Sequence, residues 1–208
     1  MRIGIDARLW NETGVGRYIR NIIKNLLTVD IMNEYVLFVI DKDYNDLKSQ
    51  ISNLKNKKVK VIKANVRWHT IEEQIVFPQI LNRYNLELVH FPYYSVPIFY
   101  NGAFIVTIHD LIPLHFQTGF ASTLPLPLYM LKLWAYKFVV SQAAKKAKKI
   151  IAPSNFSKKD IAEYLKVDLK KIDVVYEGVD ENFRDNKFIN KSKNLFLYVG
   201  KCISAQKS

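Results

Sequence analysis

The chain has 208 residues, 49% of them hydrophobic and 24% charged, with only 7 Gly and 7 Pro, which excludes collagen-like, low-complexity and wholly disordered classes. Lysine and arginine number 31 against 19 acids, a net charge of +12 that favours phosphorylated small molecules, nucleic acid or an anionic membrane surface as partners. Cys202 is the one cysteine, so an internal disulfide framework and a thiolate zinc site are excluded.

In chain order, Arg2 to Asp6 reads as a short buried strand and Asn11 to Gly16 as a polar, glycine-bearing loop. Arg17 to Val29 is predicted as a helix, Glu34 to Ile40 as a strand, Tyr44 to Leu54 as a polar helix and Val59 to Ile62 as a third strand. Thr70-Ile71-Glu72-Glu73 has capping-box spacing and opens a helix to Tyr84, which Pro78 is expected to kink or split. Leu86 to Phe91 and Phe104 to Ile108 are further strands. A long helix is predicted from Leu126 to Lys149; its basic end, Lys145-Lys146-Ala147-Lys148-Lys149, suits the helix dipole as a solvated terminus. Ile150 to Ala152 is a strand, and Pro153-Ser154-Asn155-Phe156-Ser157 turns into a helix with cap spacing from Ser157 to Asp160. Ile172 to Tyr176 and Leu195 to Val199 complete the strands. This alternation predicts an α/β fold with a doubly wound, mostly parallel sheet.

The N-terminus runs directly into a strand, so no secretory signal is expected, and Pro125, Pro127, Lys132 and Lys137 argue against a spanning helix within Phe120 to Val140. Lys187 to Lys193 is linker-like. The expected division is a domain over residues 1–186, then a linker and the opening strand of a second domain over residues 187–208.

In open parallel sheets ligands sit beyond the carboxyl ends of the strands, and candidate residues fall there. Gly14-Val15-Gly16 stands before the first helix, where a backbone can approach a phosphate; a simple turn explains it equally, and the dinucleotide fingerprint fails at Ile19. His109 and Asp110 end the run Ile105-Val106-Thr107-Ile108, either for ligand contact or to close the strand. Glu177-Gly178-Val179-Asp180 ends Val174-Val175-Tyr176, as a ligand loop or a tight turn capped by Asp180. His69, His90 and His115 are too scattered for a metal site, and no P-loop or nucleophile elbow is present. Nucleic-acid binding rests on charge alone, with no recognised module.

Ile3-Gly4-Ile5-Asp6-Ala7-Arg8, Thr13-Gly14-Val15-Gly16-Arg17-Tyr18, His109-Asp110-Leu111-Ile112-Pro113, Ala152-Pro153-Ser154-Asn155-Phe156-Ser157, Glu177-Gly178-Val179-Asp180 and Phe196-Leu197-Tyr198-Val199-Gly200 together resemble retaining glycosyltransferases of family 4, across essentially the whole chain. The resemblance implies the acceptor-side half of a GT-B enzyme, working in a cleft between two Rossmann-like halves. By similarity, the loop at Gly14, Val15 and Gly16 approaches the donor pyrophosphate, and His109, with Asp110 beside it, faces the transferring sugar. Ser154, Gly178 and Asp180 fall at substrate-binding positions, although the family often has Asn where this chain has Glu177. Lys201 and Lys207 stand near the positions that neutralise donor phosphates. By the resemblance, the nucleotide-binding half and its paired glutamates are expected to lie outside these 208 residues, so the chain alone is expected to turn over at background.

The implied partners are a nucleotide-diphosphate sugar, with mannose or glucose as the analogy, and a glycan or lipid-linked acceptor; no metal cofactor is expected. The implied location is the cytoplasm or the inner face of the cell membrane. Lysines interleave with Trp134 and Tyr136 in Leu131-Lys132-Leu133-Trp134-Ala135-Tyr136-Lys137, which fits either a core helix or an anionic membrane surface. An inactive acceptor-binding domain and a salt-sensitive polyanion binder remain as competing readings.

Overall fold

A computed structural model of the chain describes residues 1–115 and 125–179. It divides the chain into two units, Met1–Tyr176 and Glu177–Ser208. The first unit carries the elements β1 (Arg2–Asp6), α1 (Gly14–Val29), β2 (Glu34–Val39), α2 (Asp41–Ile51), β3 (Val59–Lys63), α3 (Ile71–Asn82), β4 (Leu88–Phe91), β5 (Phe104–Thr107), α4 (Ile112–His115), α5 (Leu126–Lys146), β6 (Lys149–Ala152), α6 (Asn155–Leu165) and β7 (Ile172–Val174).

The seven strands form one sheet in the order β3-β2-β1-β4-β5-β6-β7. Every pairing is parallel, so each strand's carboxyl end lies on the same edge. The chain walks outward from β1 to β3, returns, and walks the other way from β4 to β7. The carboxyl ends of β1 and β4 therefore flank the topological switch point, where a doubly wound sheet leaves a crevice.

Strand periodicity sorts the core into two layers. On β2, Tyr35, Leu37 and Val39 face the cluster that holds Ile19, Ile23 and Leu27 of α1 and Leu47 of α2. Val36 and Phe38 face the other cluster, with Phe77 and Leu81 of α3, Val140, Ala143 and Ala144 of α5, and Ile161 and Leu165 of α6. Helices thus cover both faces, and the architecture is a Rossmann-like α/β sandwich.

Several boundaries differ from the sequence reading. Helix α1 begins at Gly14 rather than Arg17, so the glycines form its first turn. The N–H groups of that turn have no intrahelical partner anyway, which makes glycine inexpensive there. Helix α2 starts earlier, with Asp41 and Asp43 in its first turn, where acids suit the dipole. Helix α3 runs unbroken through Pro78, which is itself buried; the split expected there does not occur. Helix α6 is capped by Ser154, whose Oγ accepts from the Ser157 N–H at 3.0 Å, so Ser157 lies inside the first turn and is not the cap. Helix α5 ends at Lys146, and Lys149 opens β6. The strand expected over Leu195 to Val199 falls outside the described residues.

Candidate active site

Beyond the end of β1 the backbone turns at Ala7, and Arg8 folds back into the protein with its side chain 1% exposed. Its guanidinium grips Asp6 as a fork, Nε to Oδ1 at 2.9 Å and Nη2 to Oδ2 at 2.8 Å. Nη2 also donates to Glu73 Oε1 at 2.6 Å, Nη1 donates to the Val66 carbonyl at 3.1 Å, and the fork lies 3.7 Å from the centre of the Phe77 ring. Glu73 Oε2 accepts from Ser95 Oγ at 2.8 Å and from the His69 N–H at 2.9 Å. One planar cation thus ties together the loops that follow β1, β3 and β4. Burial opposes the charge on Arg8, but Asp6 and Glu73 outweigh it and hold the guanidinium above its usual range. Burial pushes the Glu73 carboxyl up, against the pull of Arg8 and Ser95.

The fixed loops enclose a cleft of about 370 Å³ lined by Glu12, Thr13, Gly14, Val15, His69 and Tyr93 among others. The N-terminus of α1 forms one side. Thr13 makes no side-chain cap and the first turn holds no acid, so backbone N–H donors and the positive end of the dipole face this region uncapped. The two glycines differ in their reasons. A Cβ at Gly16 would stand 2.5 Å from the Trp10 carbonyl oxygen and 2.8 Å from that of Leu9, so only glycine fits under this loop. A Cβ at Gly14 would meet nothing within 4 Å. On the opposite wall His69 adopts the left-handed backbone region at φ 60°, and this turn brings its N–H to Glu73. Desolvation, then the charges of Lys132 and Arg8, push its imidazole down to about 4, so the ring is neutral at pH 7.

His109 emerges at the same edge after β5 but is not among the residues that line this cleft. Its ring stands edge-on to Tyr18 of α1, with centroids 4.6 Å apart. Nε2 lies 3.2 Å from the Pro92 carbonyl, which can only accept, so Nε2 carries the proton. Beneath it, Tyr18 Oη and Thr107 Oγ1 are 3.1 Å apart, and Thr107 Oγ1 is 2.9 Å from His90 Nε2. Burial, then the neighbouring charge of His109, lowers the His90 imidazole to about 4. Asp110 Oδ1 accepts from the Ile112 N–H at 2.9 Å and so caps α4. Ser154 caps α6, and Ser157 Oγ in turn donates to the His109 carbonyl at 3.2 Å.

The carboxyl edge therefore brings together Gly14, Val15, Gly16, His109, Asp110 and Ser154. Gly178 is exposed and belongs to the second unit. Asp180, Lys201 and Lys207 lie outside the described residues. Sequence reasoning missed Tyr93, met Arg8 only within the Ile3–Arg8 motif, His69 only as a rejected metal ligand and Glu73 only as a capping residue; an Asp-x-Arg ending an apolar strand was the available signal. Among the described residues no group of three or more His, Cys, Asp or Glu is placed to hold a metal ion, and no helix is long and apolar enough to cross a membrane.

The chain is 25% identical over 135 residues to the O-antigen chain mannosyltransferase RfbU of Salmonella typhimurium, covering 64% of this chain and 34% of that protein. Its fold matches a glycosyltransferase from Rickettsia africae at a TM-score of 0.51 and 17% identity, covering 88% of this chain and 44% of the other. It also matches the lipopolysaccharide outer core galactosyltransferase WaaB at 0.50 and 16%, covering 86% and 46%. The chain thus spans about a third of its curated relative and under half of these solved structures. The model of Glycosyltransferase Family 4 matches residues 13–183, from the cap of α1 past the end of the sheet, and the chain belongs to that family.

Proposed function

We propose that this chain is the acceptor-side half of a retaining glycosyltransferase. It acts with a donor-binding half to move a sugar from a nucleotide-diphosphate sugar to a glycan or lipid-linked acceptor. The observation that carries the reading is the meeting, at the switch point of one sheet, of an uncapped helix N-terminus and an open cleft, with His109 at the same edge. The relation to an O-antigen mannosyltransferase favours mannose, with glucose as the alternative; the proposed carrier is guanosine or uridine diphosphate, and the proposed reaction uses no metal.

In this reading the bond between the anomeric carbon and the phosphate oxygen breaks as the acceptor hydroxyl attacks the same face. The hydroxyl proton passes to the departing phosphate oxygen. The N–H groups at Gly14 and Val15 face the diphosphate, where charge accumulates in the transition state. His109, held by Pro92 and Tyr18, positions the sugar and strengthens its hydrogen bond as charge develops. Ser154 fixes the loop beneath His109 through Ser157, and Asp110 shapes the turn after it. On the family resemblance alone, Gly178 and Asp180 are assigned to substrate contact and Lys201 and Lys207 to the donor phosphates. The protein works in the cytoplasm, at the inner face of the membrane.

The test is an NMR titration of the chain with guanosine and uridine diphosphate sugars. Weak binding, with shift changes concentrated at Glu12 to Val15, His69, Tyr93 and His109, supports the reading. No perturbation there at millimolar sugar nucleotide would refute it, and an acceptor glycan that alone perturbs these residues would favour an inactive binding domain.

A further inference from the structure

Helix α5 is apolar on both sides. Its inner side packs Leu133, Tyr136, Val140, Ala143 and Ala144 on the core. Its outer side leaves Leu131 62%, Trp134 65% and Phe138 40% exposed, at helical spacing along one stripe, with Leu128 at 53% nearby. Trp134 and Phe138 stack, their ring centroids 5.7 Å apart and their planes 6° from parallel. A contiguous exposed apolar stripe of this kind marks a contact surface, so it is built to be covered. We propose that it is a docking surface for an anionic membrane, on which α5 lies with its outer stripe in the acyl boundary.

Charge selects this occupant. Between Asp110 and Asp160 the chain carries eight lysines and no acidic residue, against a net charge of +12 for the whole chain. Lys132 and Lys137 flank the stripe on α5, and Lys145 and Lys146 continue its basic end. Lysine stems reach past an apolar stripe to place their ammonium groups among anionic headgroups, and tryptophan prefers that interface. A second copy seated on the same face would bring these lysines against their own kind. The two mid-helix lysines also fit lying on a bilayer rather than crossing it, as no helix among the described residues is long and apolar enough to span. The helix reaches toward the cleft through Lys132, which is near enough to His69 of the cleft lining for its charge to bear on the imidazole. A lipid-linked acceptor would then reach the cleft from the plane of the membrane.

This deepens the transferase reading and rests on it for the role of the bound lipid, but its test contains no sugar nucleotide, so either can fail alone. The full chain is sedimented with phosphatidylcholine vesicles and with vesicles in which about one third of the lipid is phosphatidylglycerol. The expected result is at least about tenfold stronger partition to the anionic vesicles, weakened severalfold by about 0.5 M salt, with a blue shift of tryptophan emission. Trp134→Ser should abolish the shift and, like Leu131→Ser, lower partition about tenfold at an unchanged melting temperature, since both positions are exposed. Equal partition of Trp134→Ser and the parent chain, no sedimentation of the parent with anionic vesicles, or a dimer that Trp134→Ser dissociates would each overturn the proposal.

Discussion

Replacing Arg8 by methionine keeps much of the side-chain volume over Phe77 while removing the guanidinium that pairs with Asp6 and Glu73. The Asp6 fork, the Glu73 bond and the Val66 carbonyl bond all go, and Glu73 is left 1% exposed without its counter-charge. Breaking a buried ion pair from one side costs about 3–5 kcal/mol, most of it the penalty of the stranded charge. For a chain of this length that lowers the melting temperature by roughly 10 °C. The loss depends on pH in a defined direction. Burial already raises the Glu73 carboxyl, and Arg8 is the main charge opposing that rise. Without Arg8 the folded-state pKa climbs further above the unfolded value, so the penalty is full at high pH and lifts as pH falls and the carboxyl takes up a proton. Thermal unfolding followed by circular dichroism should show a large gap between variant and parent at pH 8 and a smaller one at pH 5. Arg8→Met with Glu73→Gln should cost less than the sum of the two single changes, by about 2 kcal/mol. A melting temperature within about 2 °C of the parent, or a gap independent of pH, would refute the cluster as the tie between the cleft loops.

Two other perturbations test the neighbouring parts. His90 is held neutral, down to about 4 from an ordinary 6.5, so the unfolded chain binds a proton that the folded chain refuses between those values. Stability should fall by up to about 3 kcal/mol from this group as pH drops from 6.5 to 4, and urea unfolding of His90→Gln should lack that component of the slope. Gly16→Ala drives a Cβ into the Leu9 and Trp10 carbonyls and should cost about 1–3 kcal/mol, whereas Gly14→Ala has open space and should leave urea stability within about 0.5 kcal/mol while weakening sugar-nucleotide binding.

The order of the strands and longer helices was legible because most strands are short apolar runs and α1 carries a clear one-faced apolar period, whereas the four-residue α4 was not expected. The carboxyl-edge position of Gly14 and His109 followed from the same reading, since a parallel sheet puts all such loops on one side. The Arg8–Glu73 contact was not legible, because it joins residues 65 apart in sequence and pairing at that range leaves no periodic trace. The start of α1 was misplaced because glycines read as loop even where a helix's first turn tolerates them. At Ser154 and Ser157 either hydroxyl suits a cap, and only the backbone direction separates them. For α5, periodicity located the apolar positions but not which side the core would cover.

The most direct test of the central claim is steady-state sugar transfer by the proposed two-half enzyme, comparing the parent with His109→Ala. If His109 positions the sugar in the transition state, the turnover number falls about a hundredfold or more while the donor KM changes less than about threefold. An unchanged turnover number would contradict the account and remove His109 and its sheet edge from the reaction.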